Sequence, residues 1–177
     1  MTSTIQIRRS LPADAATHVP ALARLLIACV EGGASVSFML PLSQDRAETF
    51  WRGVAEGVAR GERIVLVAED EKGALVGTVQ VVLAVPENQP HRGDIAKLLV
   101  HPQVRRQGIA AALMAAADEA AREAGKSLLV LDTVTGGDAE RLYTRLGWER
   151  CGVIPDYALW PTGGFCSTTV FYRRVPA

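Results

Sequence analysis

Arg105, Arg106, Gln107, Gly108, Ile109 and Ala110 stand between a short apolar run and an alanine-rich stretch, and they carry the chain's clearest chemical signal. The start of a helix presents unpaired backbone N–H groups and about half a positive charge, so two arginines on its approach make a seat for a phosphate or pyrophosphate. Gly108 lets the backbone come close to such an anion, where a Cβ would stand in the way. Two familiar phosphate loops are excluded, because neither Gly-x-x-x-x-Gly-Lys-Ser/Thr nor Gly-x-Gly-x-x-Gly occurs anywhere. The other chemistry-bearing residue types are scattered. Cys29, Cys151 and Cys166 are odd in number and lack paired short spacing, and His18, His91 and His101 do not share a helix face. That pattern argues against a disulfide framework and against a metal site.

The elements around the anion seat follow from periodicity. Residues 95–100 form a short apolar strand, stopped by Pro102. From Ile109 the spacing of Ile109, Leu113, Ala116, Ala120 and Ala124 predicts a helix, with Asp118 and Arg122 able to pair on its other side and Gly125 closing it. Upstream, residues 5–8 read as a strand and Pro12, Ala13 and Asp14 as a turn. Leu22, Leu25, Leu26, Cys29 and Val30 mark a helix stripe ended by Gly32 and Gly33. The segment 32–39, with Ser35 and Phe38, is too rich in small residues for a helix and too apolar for a plain loop. It either lines a pocket or makes a tight connection with Phe38 and Met39 in the core. Ser43 caps a helix whose face is Ala47, Phe50, Trp51, Val54 and Val58. Residues 63–69 and 74–85 read as a hairpin, and the polar, proline-rich stretch 86–93 leads back to the strand at 95.

Downstream, residues 127–133 are apolar on both faces, as in a central strand covered by helices. Asp138 caps a short helix with Ala139, Leu142, Tyr143 and Leu146, stopped by Gly147. Residues 148–153 and 168–175 then read as a last antiparallel pair, separated by an aromatic loop over 155–164. The order β-α-α-β-β-β-α-β-α-β-β makes a mixed α/β fold. No shift in composition marks a boundary, so residues 1–177 are expected to form one domain.

At 49% hydrophobic, with 19 basic and 19 acidic residues, the chain offers no bulk electrostatic case for nucleic acid or an anionic membrane. The first residues lack the long apolar core of a signal peptide, and nowhere do about eighteen apolar residues run together. A cytoplasmic location is the resulting expectation.

The run Arg105-x-x-Gly108-x-Ala110, preceded by Lys97-Leu98-Leu99-Val100-His101-Pro102, resembles the Arg/Gln-x-x-Gly-x-Gly/Ala pyrophosphate loop of the Gcn5-related N-acetyltransferases (GNAT). Tyr143-Thr144-Arg145-Leu146-Gly147-Trp148 is similar to that family's Phe/Tyr-Tyr-x-x-Leu-Gly-Phe segment, and the element order agrees along essentially the whole chain. Segment 32–39, Lys97 to Val100, Leu131-Asp132-Thr133 and Pro155-x-Tyr157 resemble the tabtoxin-resistance acetyltransferase branch. Leu142 in place of an aromatic and Ala110 in place of a second glycine are the departures.

The resemblance implies a mostly antiparallel central sheet flanked by helices, acetyl-CoA as cosubstrate without a metal, and acetyl transfer to a primary amine by direct attack. It implies that backbone N–H groups of Leu98, Leu99 and Val100 hold the pantetheine and polarise the thioester, with residues 105–110 on the pyrophosphate. Donors aimed at a developing oxyanion contribute roughly 3–4 kcal/mol each in other acyl-transfer enzymes. A lysine-like amine has a reference pKa near 10.4, and freeing its lone pair at pH 7 costs roughly 4 kcal/mol. Asp94 and Asp132, at strand ends, are the carboxylates expected to drain that proton or bind the ammonium. Tyr143, a phenol, suits protonation of the departing thiolate. Ser35, Phe38 and Tyr157 are the expected substrate contacts, in an enclosed pocket for a small amino-acid-like amine, and detoxification or antibiotic resistance is the implied role. The rival readings are a protein N-terminal or lysine acetyltransferase and a non-catalytic acyl-CoA-binding module; assembly as a homodimer stays open.

Overall fold

The computed structural model describes residues 5–176; the expectation drawn from the first residues therefore falls partly outside the described residues. The elements follow the expected order: β1 (Gln6–Ser10), α1 (Pro12–Glu31), α2 (Gln44–Ala59), β2 (Arg63–Glu69), β3 (Leu75–Val82), β4 (Arg92–Val100), a 3₁₀ turn (Pro102–Val104), α3 (Ile109–Glu123), β5 (Leu128–Val134), α4 (Asp138–Arg145), β6 (Glu149–Leu159) and β7 (Phe165–Arg174). The strands make one sheet in the order β1-β2-β3-β4-β5-β7-β6. Every neighbouring pair is antiparallel except β4 and β5, which run parallel across the α3 connection. This is the mixed, mostly antiparallel sheet expected.

Helices cover both faces, and the two-residue period of a strand decides which side chain meets which helix. In β2, Ile64, Leu66 and Ala68 join the cluster under α3 with Leu113, Met114 and Phe171. Val65 and Val67 join the cluster under α1 and α2 with Leu26, Val30 and Trp51. Ser43 caps α2, its hydroxyl accepting from the Arg46 N–H at 3.2 Å. Gly125, at φ +71°, follows the end of α3 in the left-handed conformation that suits glycine there.

Four local readings are corrected. The turn expected at Pro12 is the first turn of α1, where proline's fixed φ and missing N–H are harmless. Pro20 sits inside that helix on its exposed side, and the buried stripe Ala15, Val19, Leu22 and Leu26 runs past it. By length and composition α1 could cross a membrane, but that stripe packs against the sheet. Asp118 pairs with Arg173 at 3.4 Å, and Arg122 pairs with Glu119. Asp138 is the first residue of α4; the cap is Gly137, and the Glu140 carboxylate accepts from the Gly136 N–H. The first half of the aromatic loop is strand: β6 extends to Leu159 as the sheet's edge, with its register broken between Ile154 and Ala158. A bulge on an edge strand tolerates Pro155, which has no N–H to give.

Candidate active site

β4 and β5 pair only over Arg92, Gly93 and Asp94 against Leu128, Leu129 and Val130. Beyond that they part, because β4 turns aside at a bulge. Its register against β3 shifts between Thr78 and Gln80, and Lys97 takes φ +51°. β3 holds β4 again at Leu99 and Val100, so the β5-facing backbone edge of Leu98, Leu99 and Val100 has no strand partner. A cleft of ≈ 1220 Å³ opens at this split.

One end of the cleft is the basic loop. Arg106 and Gly108 have φ of +62° and +80°, and the first backbone bond within α3 runs from the Ala112 N–H to the Gly108 carbonyl. The N–H groups of Ile109, Ala110 and Ala111 therefore have no partner within the helix. Arg105, Arg106, Gly108, Ile109 and Ala110 line the cleft, while Gln107 is exposed and lies outside its lining. The Arg105 Nε donates to the Val100 carbonyl at 3.2 Å, fixing the loop to the end of β4. A Cβ on Gly108 would meet nothing within 4 Å. Within the protein, then, glycine answers the left-handed backbone, and the empty space before it suits an anion. Free N–H groups, two arginines and clear space fit a pyrophosphate.

Tyr143 comes from α4 and is 5% exposed, packed against Trp148 and Phe171 with ring centres 5.9 Å away in each case. It lines the cleft, and its hydroxyl has no hydrogen-bond partner among the described residues. Burial, and secondarily the charge of Asp132, pushes its ionisation above the ordinary phenol value, so at neutral pH it holds its proton. Asp132, near the end of β5, also lines the cleft; its Oδ2 accepts from the Thr168 hydroxyl at 2.9 Å. Asp94 is not brought to them. It lies within the short stretch where β4 and β5 are still paired, outside the cleft lining, and bonds Arg92 at 3.2 Å. Asp156 lies outside the lining as well.

Over the mouth, segment 32–39 meets the tip of the β6–β7 hairpin. The Ser35 hydroxyl donates to the Leu159 carbonyl at 2.7 Å, and the Leu40 N–H donates to the Pro161 carbonyl at 2.9 Å. Ser35, Phe38 and Tyr157 all line the cleft. Phe38 does both jobs left open by the sequence, lining the cleft while packing edge-on to Phe50 at 5.2 Å. Several lining residues were not read as site candidates, Asp138, Arg141 and Arg145 of α4 among them; on the strands the charged one is Lys97, the sole charge in the apolar run from Ile95 to Val100. That solitary charge was the available signal.

Comparison with known proteins accounts for this arrangement. The acetyltransferase (GNAT) domain family model matches residues 61–150, which contain the β4 bulge and the basic loop. An uncharacterised N-acetyltransferase of Azospirillum brasilense is 30% identical over 140 residues, spanning 77% of this chain and 81% of the relative. The chain belongs to the GNAT acetyltransferase family. As a GNAT enzyme it is an acetyl-CoA-dependent N-acetyltransferase. A 59-residue stretch is 42% identical to an aminoalkylphosphonate N-acetyltransferase of Salmonella typhimurium, covering 33% of this chain and 38% of that one. The GNAT fold recurs in a phosphinothricin acetyltransferase of Sinorhizobium meliloti solved with acetyl-CoA, at TM-score 0.78 and 18% identity, over 99% of this chain and 89% of the other.

Proposed function

We propose that this GNAT enzyme, acting as one domain over residues 1–177, acetylates the primary amine of a small amino-acid-like molecule. The observation that carries the reading is the placement of Tyr143 and Asp132 on one cleft, with the mouth bridged by the Ser35 to Leu159 and Leu40 to Pro161 hydrogen bonds. Such a bridge leaves room for a compact acceptor and obstructs an extended peptide, which counts against a protein acetyltransferase.

Acetyl-CoA supplies an activated acyl thioester when bound. In this reading Arg105, Arg106 and the backbone of Gly108, Ile109 and Ala110 hold its pyrophosphate, with Gln107 outside the cleft, and the free edge of Leu98, Leu99 and Val100 positions the acyl group. Asp132, fixed by Thr168, orients the acceptor ammonium and receives its proton, directly or through water. Tyr143 keeps its proton at neutral pH and gives it to the departing thiolate. Asp94, paired with Arg92 away from the cleft, takes no part. Ser35, Phe38 and Tyr157 enclose the acceptor.

The names of two relatives, for aminoalkylphosphonate and phosphinothricin acetylation, support an acceptor of this kind, as does the resemblance to the tabtoxin-resistance branch. Detoxification of an amino-acid-like antimetabolite in the cytoplasm is the role we assign. An acetylation screen of small amino-acid-like amines against peptides tests it. Transfer to the small amines is the expected result, and transfer to peptides alone would overturn the reading; light scattering of the same preparation distinguishes monomer from homodimer.

A further inference from the structure

The bulge in β4 puts Lys97 in the lining of the cleft, with no carboxylate in contact with its ammonium among the described residues. The Nζ lies 3.1 Å from the Ser37 hydroxyl and 5.7 Å from the centre of the Phe50 ring, and it makes no ion pair among the described residues. Ser37 itself is held at φ +77°, so both ends of this contact sit on unusual backbone. Burial is the main influence lowering the Lys97 pKa; Asp132 opposes it, and Arg63 adds to it from β2. A half-buried cation with no anion in contact is costly, and a protein that keeps one in a ligand cleft gains when the ligand brings an anion to it.

The other charges lining the cleft are Arg105 and Arg106 on the basic loop and Asp138, Arg141 and Arg145 on α4. That leaves one cation, Lys97, and one anion, Asp132, on the strands themselves. A molecule carrying only an ammonium would satisfy Asp132 and leave Lys97 uncompensated. A zwitterion answers both.

We infer that Lys97 sets acceptor specificity by receiving the anionic group, a carboxylate or a phosphorus oxyacid, of a zwitterionic amine whose ammonium faces Asp132. This rests on the small-amine reading above and narrows it: the positive charge of Lys97 selects amines that keep their acid group. Lys97 is thus a binding residue, and its contribution falls on acceptor affinity instead of the chemical step.

The test compares matched acceptors, alanine, alaninamide and 1-aminoethylphosphonate, together with further amino acids and their amides, on the wild type, Lys97→Met and Lys97→Arg. The readout is the ratio of kcat/KM for each acid to that for its amide, which cancels general damage to folding or to acetyl-CoA binding. The wild type is expected to favour the acids, and Lys97→Met to lower the ratio by about ten- to a hundredfold through KM, the usual weight of one charge-assisted contact. Lys97→Arg should retain most of it. Carboxylate and phosphonate arms show which acid the site takes. If small amines are acetylated but the ratio is unmoved by Lys97→Met, or the loss falls on kcat with a changed pH profile, Lys97 is not the anion receptor and the small-amine reading stands. If only peptides are acetylated, both readings fall.

Discussion

Tyr143 is the residue whose surroundings say most about its job. Removing its hydroxyl disturbs no hydrogen bond among the described residues. Tyr143→Phe should therefore keep the fold and acetyl-CoA affinity while lowering turnover by roughly 10²- to 10⁴-fold. Turnover within twofold of wild type would make it a packing residue. Its folded-state pKa is raised, so the stability it contributes is complete below the unfolded value near 10 and drains away as pH rises beyond it. Alkaline unfolding above about pH 10 should accordingly be steeper for wild type than for Tyr143→Phe. At the loop, Arg105→Ala should weaken acetyl-CoA binding by about ten- to a hundredfold in calorimetry, and unchanged affinity would release Arg105 from that role. The motif around Tyr143 and the end of β5 at Asp132 were legible because each sits on an element of clear period. Asp94 was misleading: both aspartates lie on strands that border the split, but only the point where β4 and β5 separate decides which reaches the cleft. No residue in the sequence marks that point alone, since it depends on the register shift of β4 against β3, which the pattern of apolar residues does not record.

Helix and strand identities were readable, their ends less so. Ser43 announced α2, and Ser43→Ala should cost about 1 kcal/mol in urea denaturation. The start of α1 was hidden by its two prolines, one harmless at the first position and one facing solvent. The far half of β6 was hidden by Pro155, which an edge bulge accommodates. The packing of α1 onto β1 also creates a pH dependence. The Arg8 Nη2 lies 3.0 Å from the His18 Nε2, and the Ser10 hydroxyl 3.0 Å from its Nδ1, while Arg8 also bonds Glu69 at 2.7 Å and Asp14 at 3.2 Å. Burial, then Arg8, lowers the His18 pKa. The unfolded chain thus binds a proton that the folded one resists; stability from this cluster is present above about pH 6.5 and is lost as pH falls through the lowered folded value. Denaturation free energy should drop more steeply between pH 7 and pH 5 in wild type than in His18→Gln. Equal slopes would remove His18 from the acid response.

At the scale of the whole molecule, the parallel pairing of β4 and β5 agrees with the helix that connects them, though the sequence by itself assigned that pairing no direction, and nothing in the sequence told that β7, and not β6, lies beside β5. The two apolar clusters on opposite faces share the sheet. Leu113, fully buried where α3 crosses the sheet, comes to within 3.1 Å of where a Cβ on Gly77 would stand. Leu113→Ala should cost 2–5 kcal/mol, on the order found for large-to-small changes in well-packed cores. Gly77→Val should push the start of α3 off β3 and weaken acetyl-CoA binding together with stability, as melting curves with and without cosubstrate would register. The parted strands have one more consequence. A sheet that stops pairing after three residue pairs leaves a row of main-chain groups at its centre open to solvent. In deuterated water the β5-facing amides of β4 beyond Asp94 should exchange as fast as those of a surface loop, though β4 lies in the middle of the sheet, between β3 and β5. Acetyl-CoA should slow that exchange and raise the melting temperature with concentration, since a ligand that binds only the folded state at a hundred times its Kd adds about 2.7 kcal/mol. The enzyme would then be at its most rigid while loaded, and its middle would loosen at each turnover as CoA departs.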